Sequence, residues 1–334
     1  MRFKNIFFAA AAAMALTACS SDDEQSFVSQ FPEDGVMRFT TNLVDPTAAL
    51  TRASITGSDV NQSGQQFQVK IVNPTSATYS YFNTVQHDGS EWVPVNRMLW
   101  QNDQQMITVT AAYKQGTTFS DYDFIAGADL TVAADQSTEA LLKQQDLLTM
   151  PTKTIANPSI EETLMQNGKL VINFYHALSK LDVTLELKDE FYPANIQATD
   201  ITDVKISGTN LGYNFKAMET ANENYGTVTA TASTAADILP NQYNFTAGTA
   251  ESKHSMAKYE AIVVPQEIAA GQLTVSFKIG TRSFSWTNTQ AYTLEQGKQY
   301  TLPLTVGNDG VTAGSRAFTV TSWEDQPGDN LGTE

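Results

Sequence analysis

Leu181-Asp182-Val183-Thr184-Leu185-Glu186-Leu187-Lys188 alternates apolar and polar residues without a break. A side-chain period of two puts the leucines and the valine on one face and the charged and hydroxyl residues on the other. That is what a strand with one buried and one wet face requires. The same alternation recurs at Phe67, Val69 and Ile71, at Ile107, Val109, Ala111 and Tyr113, and at Leu170, Ile172 and Phe174. It recurs again at Leu273, Val275, Phe277 and Ile279, and at Tyr300, Leu302, Leu304 and Val306. Turn signals at Asp88-Gly89, Asn167-Gly168, Gly271, Gly297 and Asn308-Asp309-Gly310 separate the runs. Many short strands punctuated in this way predict an all-β chain of antiparallel sandwiches. Helical signal is confined to Ser137–Asp146, with Ser137 as the expected N-cap, and to a turn or two within 189–200.

The chain has 334 residues, enough for two ordinary domains. A boundary is expected at 167/168, after the Pro- and Gly-punctuated stretch Met150–Gly168, giving domains over 36–167 and 168–334. The strand at 170–176 could open the second domain or close the first. Hydrophobic residues make up 41% and charged residues 17%, a balance that can fill two cores. The net charge of -16 and the lack of a Lys/Arg stripe exclude nucleic acid as a partner, because binding it needs clustered cations.

Arg2 and Lys4 precede an apolar run from Ile6 to Leu16, shorter than the roughly 20 residues that span a bilayer. Residues 1–18 therefore read as a signal peptide. They end in Leu16-Thr17-Ala18-Cys19, which resembles a bacterial lipobox. The only cysteine of the chain, Cys19, is thus the expected lipid attachment point, and no disulfide framework exists. Residues 19–35 read as a lipidated acidic tether. Ser20-Ser21-Asp22-Asp23-Glu24 resembles the signal that carries such lipoproteins to the outer face of the cell.

Chemistry-bearing motifs are sparse. His87, His176 and His254 lie outside any zinc spacing, and His176 reads as a structural residue near a strand end. Asp121 and Asp123 begin a calcium-loop spacing, but Ile125 stands where a third oxygen ligand is needed. No nucleophile elbow or phosphate loop appears. No catalytic residue, cofactor or metal is expected. Trp92, Trp100, Trp286 and Trp323 read as core residues or, alternatively, as a sugar-stacking platform on a monomeric glycan-binding lipoprotein.

Several segments occur in an order that resembles the fimbrillin family of Bacteroidales, the type V pilins and their minor tip relatives. They are the lipobox, an early strand, Thr51-Arg52-Ala53-Ser54, Asp146-Leu147-Leu148-Thr149-Met150, Phe174-Tyr175-His176-Ala177-Leu178-Ser179-Lys180, Leu294–Leu302 and a last strand closing on Ser322-Trp323. The resemblance implies two tandem transthyretin-like β-sandwich domains and a non-enzymatic, adhesive subunit of a surface pilus, with a tip or accessory place among those open to it. It implies export to the outer membrane, facing outward, with Cys19 in the lipid, and residence in the fimbrium after processing. It also implies proteolytic cleavage between Arg52 and Ala53. That cut would remove a first strand over 36–43, with Met37, Phe39, Thr41 and Leu43 on one face. A strand of another subunit would then fill the vacated place. The receptor, protein or glycan, is not implied. Phe318, Val320 and Trp323 mark either a donor strand or the final strand of the second domain. The polar tail Glu324–Glu334 lacks an alternating apolar set.

Overall fold

The computed structural model describes residues 31–44, 55–116, 127–217, 226–232, 236–313 and 318–323. The alternating runs of the first half become β1 (Phe39–Leu43), β2 (Gln66–Val72), β3 (Tyr81–His87), β4 (Trp92–Pro94), β5 (Ile107–Lys114), β6 (Ala128–Thr131), β7 (Leu147–Ile155), β8 (Met165–Gln166) and β9 (Lys169–His176). The second half supplies β10 (Ser179–Leu187), β11 (Ile201–Ser207), β12 (Gly212–Lys216), β13 (Thr227–Thr231), β14 (Asn241–Thr246), β15 (Ser255–Val263) and β16 (Gln266–Ile268). It ends with β17 (Thr274–Ile279), β18 (Arg282–Thr287), β19 (Tyr292–Leu294), β20 (Lys298–Gly307), β21 (Gly310–Ala313) and β22 (Thr319–Ser322). The chain is all-β; its described residues include two short helices, α1 (Gly57–Val60) and α2 (Glu139–Lys143), and brief 3-10 turns at Ala77–Tyr79, Asp189–Ala194 and Ala198–Asp200. Thr138, not Ser137, caps α2, its hydroxyl accepting from the Leu141 amide, while Ser137 turns its hydroxyl to Asp135.

The first sheet runs β1-β4-β3-β2-β5-β7-β9-β8, and β1 also pairs with β9, so the sheet closes on itself. Its inward residues form one core, including Phe67, Val69, Val85, Val109, Leu148, Ile172 and Phe174. The second half packs β14-β15-β10-β20 against the three-stranded sheet β11-β17-β18. Leu181, Val183, Leu185 and Leu187, the residues that set the alternation, lie buried between these two sheets. Among the described strands, two pairings are parallel, β1 with β9 and β10 with β20, and the others are antiparallel.

The hairpin β8–β9 turns at Asn167 and Gly168, which take φ of 50° and 75°. Two consecutive positive φ values match a two-residue type I′ turn and explain why this position carries Asn-Gly. Gly208 has a stricter reason to be glycine: at φ +94°, a Cβ there would lie 1.9 Å from the Gln272 carbonyl oxygen.

Two places in the chain bear on how it divides. β9 belongs to the first sheet, so the chain crosses between sheets at Ala177-Leu178, beyond the 167/168 division. The tether expected over 19–35 is already folded at its end: Gly35 N donates to Pro32 O, and Phe31 meets Trp100 edge to face. The halves also interlock. β6, from the first half, pairs with β12, from the second, and a shared apolar cluster joins Ala112, Leu142, Leu147, Leu178, Tyr213, Phe215 and Trp323.

Candidate functional site

β1 occupies a slot in the first sheet. On one side it runs parallel to β9, in register from Phe39 opposite Leu170 to Leu43 opposite Phe174. The Leu170 amide donates to Arg38 O at 2.7 Å and the Val44 amide to Phe174 O at 2.9 Å. On the other side Phe39 bridges Trp92 antiparallel, Met37 N donates to Met98 O, and Trp100 N donates to Gly35 O. A strand paired on both sides leaves two rows of unpaired backbone groups when it departs, each costly to bury unmet.

The period of two turns Met37, Phe39 and Thr41 inward, with Leu43 half-buried at the end. Phe39 and Met37 are each 1% exposed. Phe39 meets Phe67 edge to face at 6.0 Å, and Phe67 in turn touches Trp92 and Phe174 at 4.8 and 5.6 Å. Burying side chains of this size contributes about 1.5–3 kcal/mol each. Outward, Arg38 pairs with Asp34 through two bonds and holds that carboxyl well below its usual range. Both groups are solvent-exposed, so the pair adds little to stability.

Thr41 enters a polar knot. Its hydroxyl donates to Asn61 Oδ1 at 2.8 Å, and Trp92 Nε1 donates to the same oxygen at 2.8 Å while lying 3.2 Å from Thr41 Oγ1. Asn61 is the C-cap of α1, and its side-chain amide donates to Gly57 O, which fixes the carbonyl toward the slot. α1 is held in turn by a capping box, Thr56 with Asp59, and by the Asp59–Lys143 pair to α2 at 3.0 Å. Burial pushes the Asp59 carboxyl up, but the Thr56 hydroxyl and amide and the Lys143 ammonium outweigh it and hold the carboxyl below the usual range. This knot leaves no local sign in the sequence, because Thr41, Asn61 and Trp92 are far apart along the chain.

Cys19, Arg52 and Ala53 lie outside the described residues, as do Asp121 and Asp123. Phe318, Val320 and Trp323 belong to the last strand segment, in which β22 pairs antiparallel with β20 beside β21. Phe318 packs on Tyr292 at 4.3 Å and near Trp286 and Tyr300, whereas Val320 is 51% exposed. Trp323 is buried in the shared cluster and stacks on His176, whose Nδ1 pairs with Asp146 Oδ2 at 2.8 Å. His176 is thus a buried, bonded residue, as its place near a strand end suggested. The four tryptophans are between 4% and 8% exposed, so none offers an open face to a sugar.

A fimbrillin-like family model matches residues 51–323. No curated protein matches the chain significantly. Among solved structures, a candidate cell adhesion protein from Bacteroides uniformis shares 18% identity, covering 87% of this chain and 99% of its own, with a TM-score of 0.57. A second candidate cell adhesion protein, from Bacteroides ovatus, shares 14% identity over 87% of this chain and 98% of its own, with a TM-score of 0.55. At such identities the likeness establishes the fold.

Proposed function

We propose, from the premise that the chain belongs to the fimbrillin-like family, that it is a structural and adhesive subunit of a cell-surface pilus, assembled through the slot that β1 fills. In this reading the protein is exported as a lipoprotein on Cys19, displayed outward at the outer membrane, and cut after Arg52. The cut frees β1 together with everything before it, and a strand from another subunit takes its place. The two halves, divided near Ala177-Leu178, act as tandem domains, and the chain serves at the tip or as an accessory subunit.

The single observation that carries this is the position of β1. It is the first strand of the described chain, it is paired on both sides, and its Met37 and Phe39 side chains sit in the core. Its loss would bare Leu170, Ile172 and Phe174, all fully buried, along with the free edge of β9. An apolar groove with an open strand edge captures another strand by β-augmentation, with main-chain bonds giving affinity and alternate pockets giving register.

The test is N-terminal sequencing of the protein recovered from surface filaments, alongside an Arg52→Ala variant. The expected result is a start at Ala53 for the native chain and an unassembled lipoprotein for the variant. Normal assembly of the variant would overturn activation at Arg52.

A further inference from the structure

The slot is not uniformly apolar, and its lining specifies more than a hydrophobic strand. Three of its four inward positions are apolar, held by Met37, Phe39 and Leu43, and the third in order, Thr41, faces the Asn61 carbonyl and the Trp92 indole N–H. We propose that the slot selects a strand from a different subunit, one that carries an apolar residue, an aromatic residue, a serine or threonine, and an apolar residue at alternate positions in that order. This rests on the slot being an exchange site, and it adds which strand the site accepts.

The hydroxyl position follows from hydrogen-bond satisfaction. The Asn61 amide donates to Gly57 O, which favours the rotamer that turns its carbonyl toward the slot. Trp92 is 4% exposed and Thr41 is 7% exposed, so water reaches neither freely. A valine in place of Thr41 has nearly the same shape but sets a methyl against the Asn61 oxygen, and the part-buried bond from the strand to that oxygen is lost. Serine keeps the bond. The aromatic position is set by Phe67, which meets the occupying ring edge to face. The order is set by direction: the occupant runs parallel to β9, so the aromatic position lies opposite Leu170 and the hydroxyl position opposite Ile172.

The rest of the sequence points to a different subunit as the donor. Met37-Arg38-Phe39-Thr40-Thr41-Asn42-Leu43 is the only stretch of this chain with that set of residues at alternate positions. In the last strand segment, placing Phe318 in the aromatic position puts Val320 against Asn61, and placing Ser322 in the hydroxyl position puts Val320 where the ring belongs. A second copy of this chain, once cut after Arg52, therefore has no matching strand to offer.

The experiment uses the full chain, cut after Arg52 by limited proteolysis, unfolded in urea and refolded with excess labelled peptide. The peptides span residues 35–44 in native form, with Thr41→Ser or with Thr41→Val, and a fourth spans residues 316–324. Retention is read by size-exclusion chromatography. The native and serine peptides should be retained alike and the valine peptide about tenfold less, the factor that one net hydrogen bond supplies. The 316–324 peptide should fall at or below the valine level. In an Asn61→Leu chain the preference for threonine over valine should vanish, an outcome that a merely structural Asn61 would not produce. Equal retention of the threonine and valine peptides by the native chain would overturn the hydroxyl rule and leave the exchange site standing. Strong retention of the 316–324 peptide would overturn the exclusion of a second copy. Retention of no peptide at all would overturn the exchange site and this inference with it.

Discussion

Trp323 lies flat on His176, with ring centroids 4.1 Å apart and planes inclined by only 7°. The contact joins the end of the last strand to the end of β9 across the cluster that both halves share. The Lys180 ammonium sits 6.0 Å from the same indole ring, and the Trp323 amide donates to Gly297 O. Trp323→Ala should therefore destabilise the protein by about 3–5 kcal/mol, the usual cost of truncating a buried Trp. Denaturant titration would measure this, and hydrogen exchange should show β22 losing protection before the first sheet does.

Phe39→Ala should cost about 3–5 kcal/mol in the full-length chain, because the ring is almost wholly buried and packs on Phe67. Asn42→Ala should cost far less, since that side chain points outward to Asn173 at 3.2 Å. The contrast, read by thermal unfolding, checks that the alternation of β1 faces the way described. Similar losses for both would contradict it.

Lys180 and Glu260 form a pair at 2.6 Å with both side chains almost wholly buried. Asn241 Nδ2 donates to the other carboxylate oxygen. Removing one charge leaves its partner buried and unmatched, so Lys180→Met should cost about 3–5 kcal/mol. The double change Lys180→Met with Glu260→Leu should recover most of that loss. A double variant as unstable as the single one would show that the pair does more than neutralise itself.

Lys114 is buried, and burial pushes its ammonium down to about 8, partly offset by the Asp146 carboxylate. Its Nζ donates to Gln144 O. Below pH 8 the ammonium is charged in both folded and unfolded chains, and the folded state bears the full penalty. Between pH 8 and the unfolded value near 10.5 the folded chain sheds the proton first, so the protein gains stability as pH rises through that window. Lys114→Met should stabilise the chain by about 1–3 kcal/mol at pH 7, and the advantage should shrink toward pH 10. Urea titrations of both proteins at pH 7 and pH 10 would check the sign.

The strands were legible because each half-buried strand writes its period of two into the chain, as Leu181–Leu187 and Leu273–Ile279 do. Asn167-Gly168 was legible for a related reason, since few residue pairs take two positive φ values. The inward set Met37, Phe39, Thr41 and Leu43 could also be read from alternation. Partners could not. The parallel pairing of β1 with β9, and the antiparallel pairing of β6 with β12 across the two halves, depend on contacts between distant segments that leave no local mark. For the same reason the sequence left open which half the strand at 170–176 joins: its pairing in the first sheet is with segments far away in the chain. Trp323 reads as a generic core aromatic until the fold brings His176 beneath it.

The parallel run of β1 on β9 also has a mechanical meaning. β9 continues into β10 with only Ala177 and Leu178 between them, both fully buried, and β10 is flanked by β15 and β20. A pull along whatever strand lies in the slot loads its ladder to β9 in shear, every bond at once, instead of peeling bonds singly. The tension then enters the middle of the second sheet through a joint with no slack. Built from such units, a fibre would transmit force along a single continuous line, and its yield point would be set by sliding in the slot.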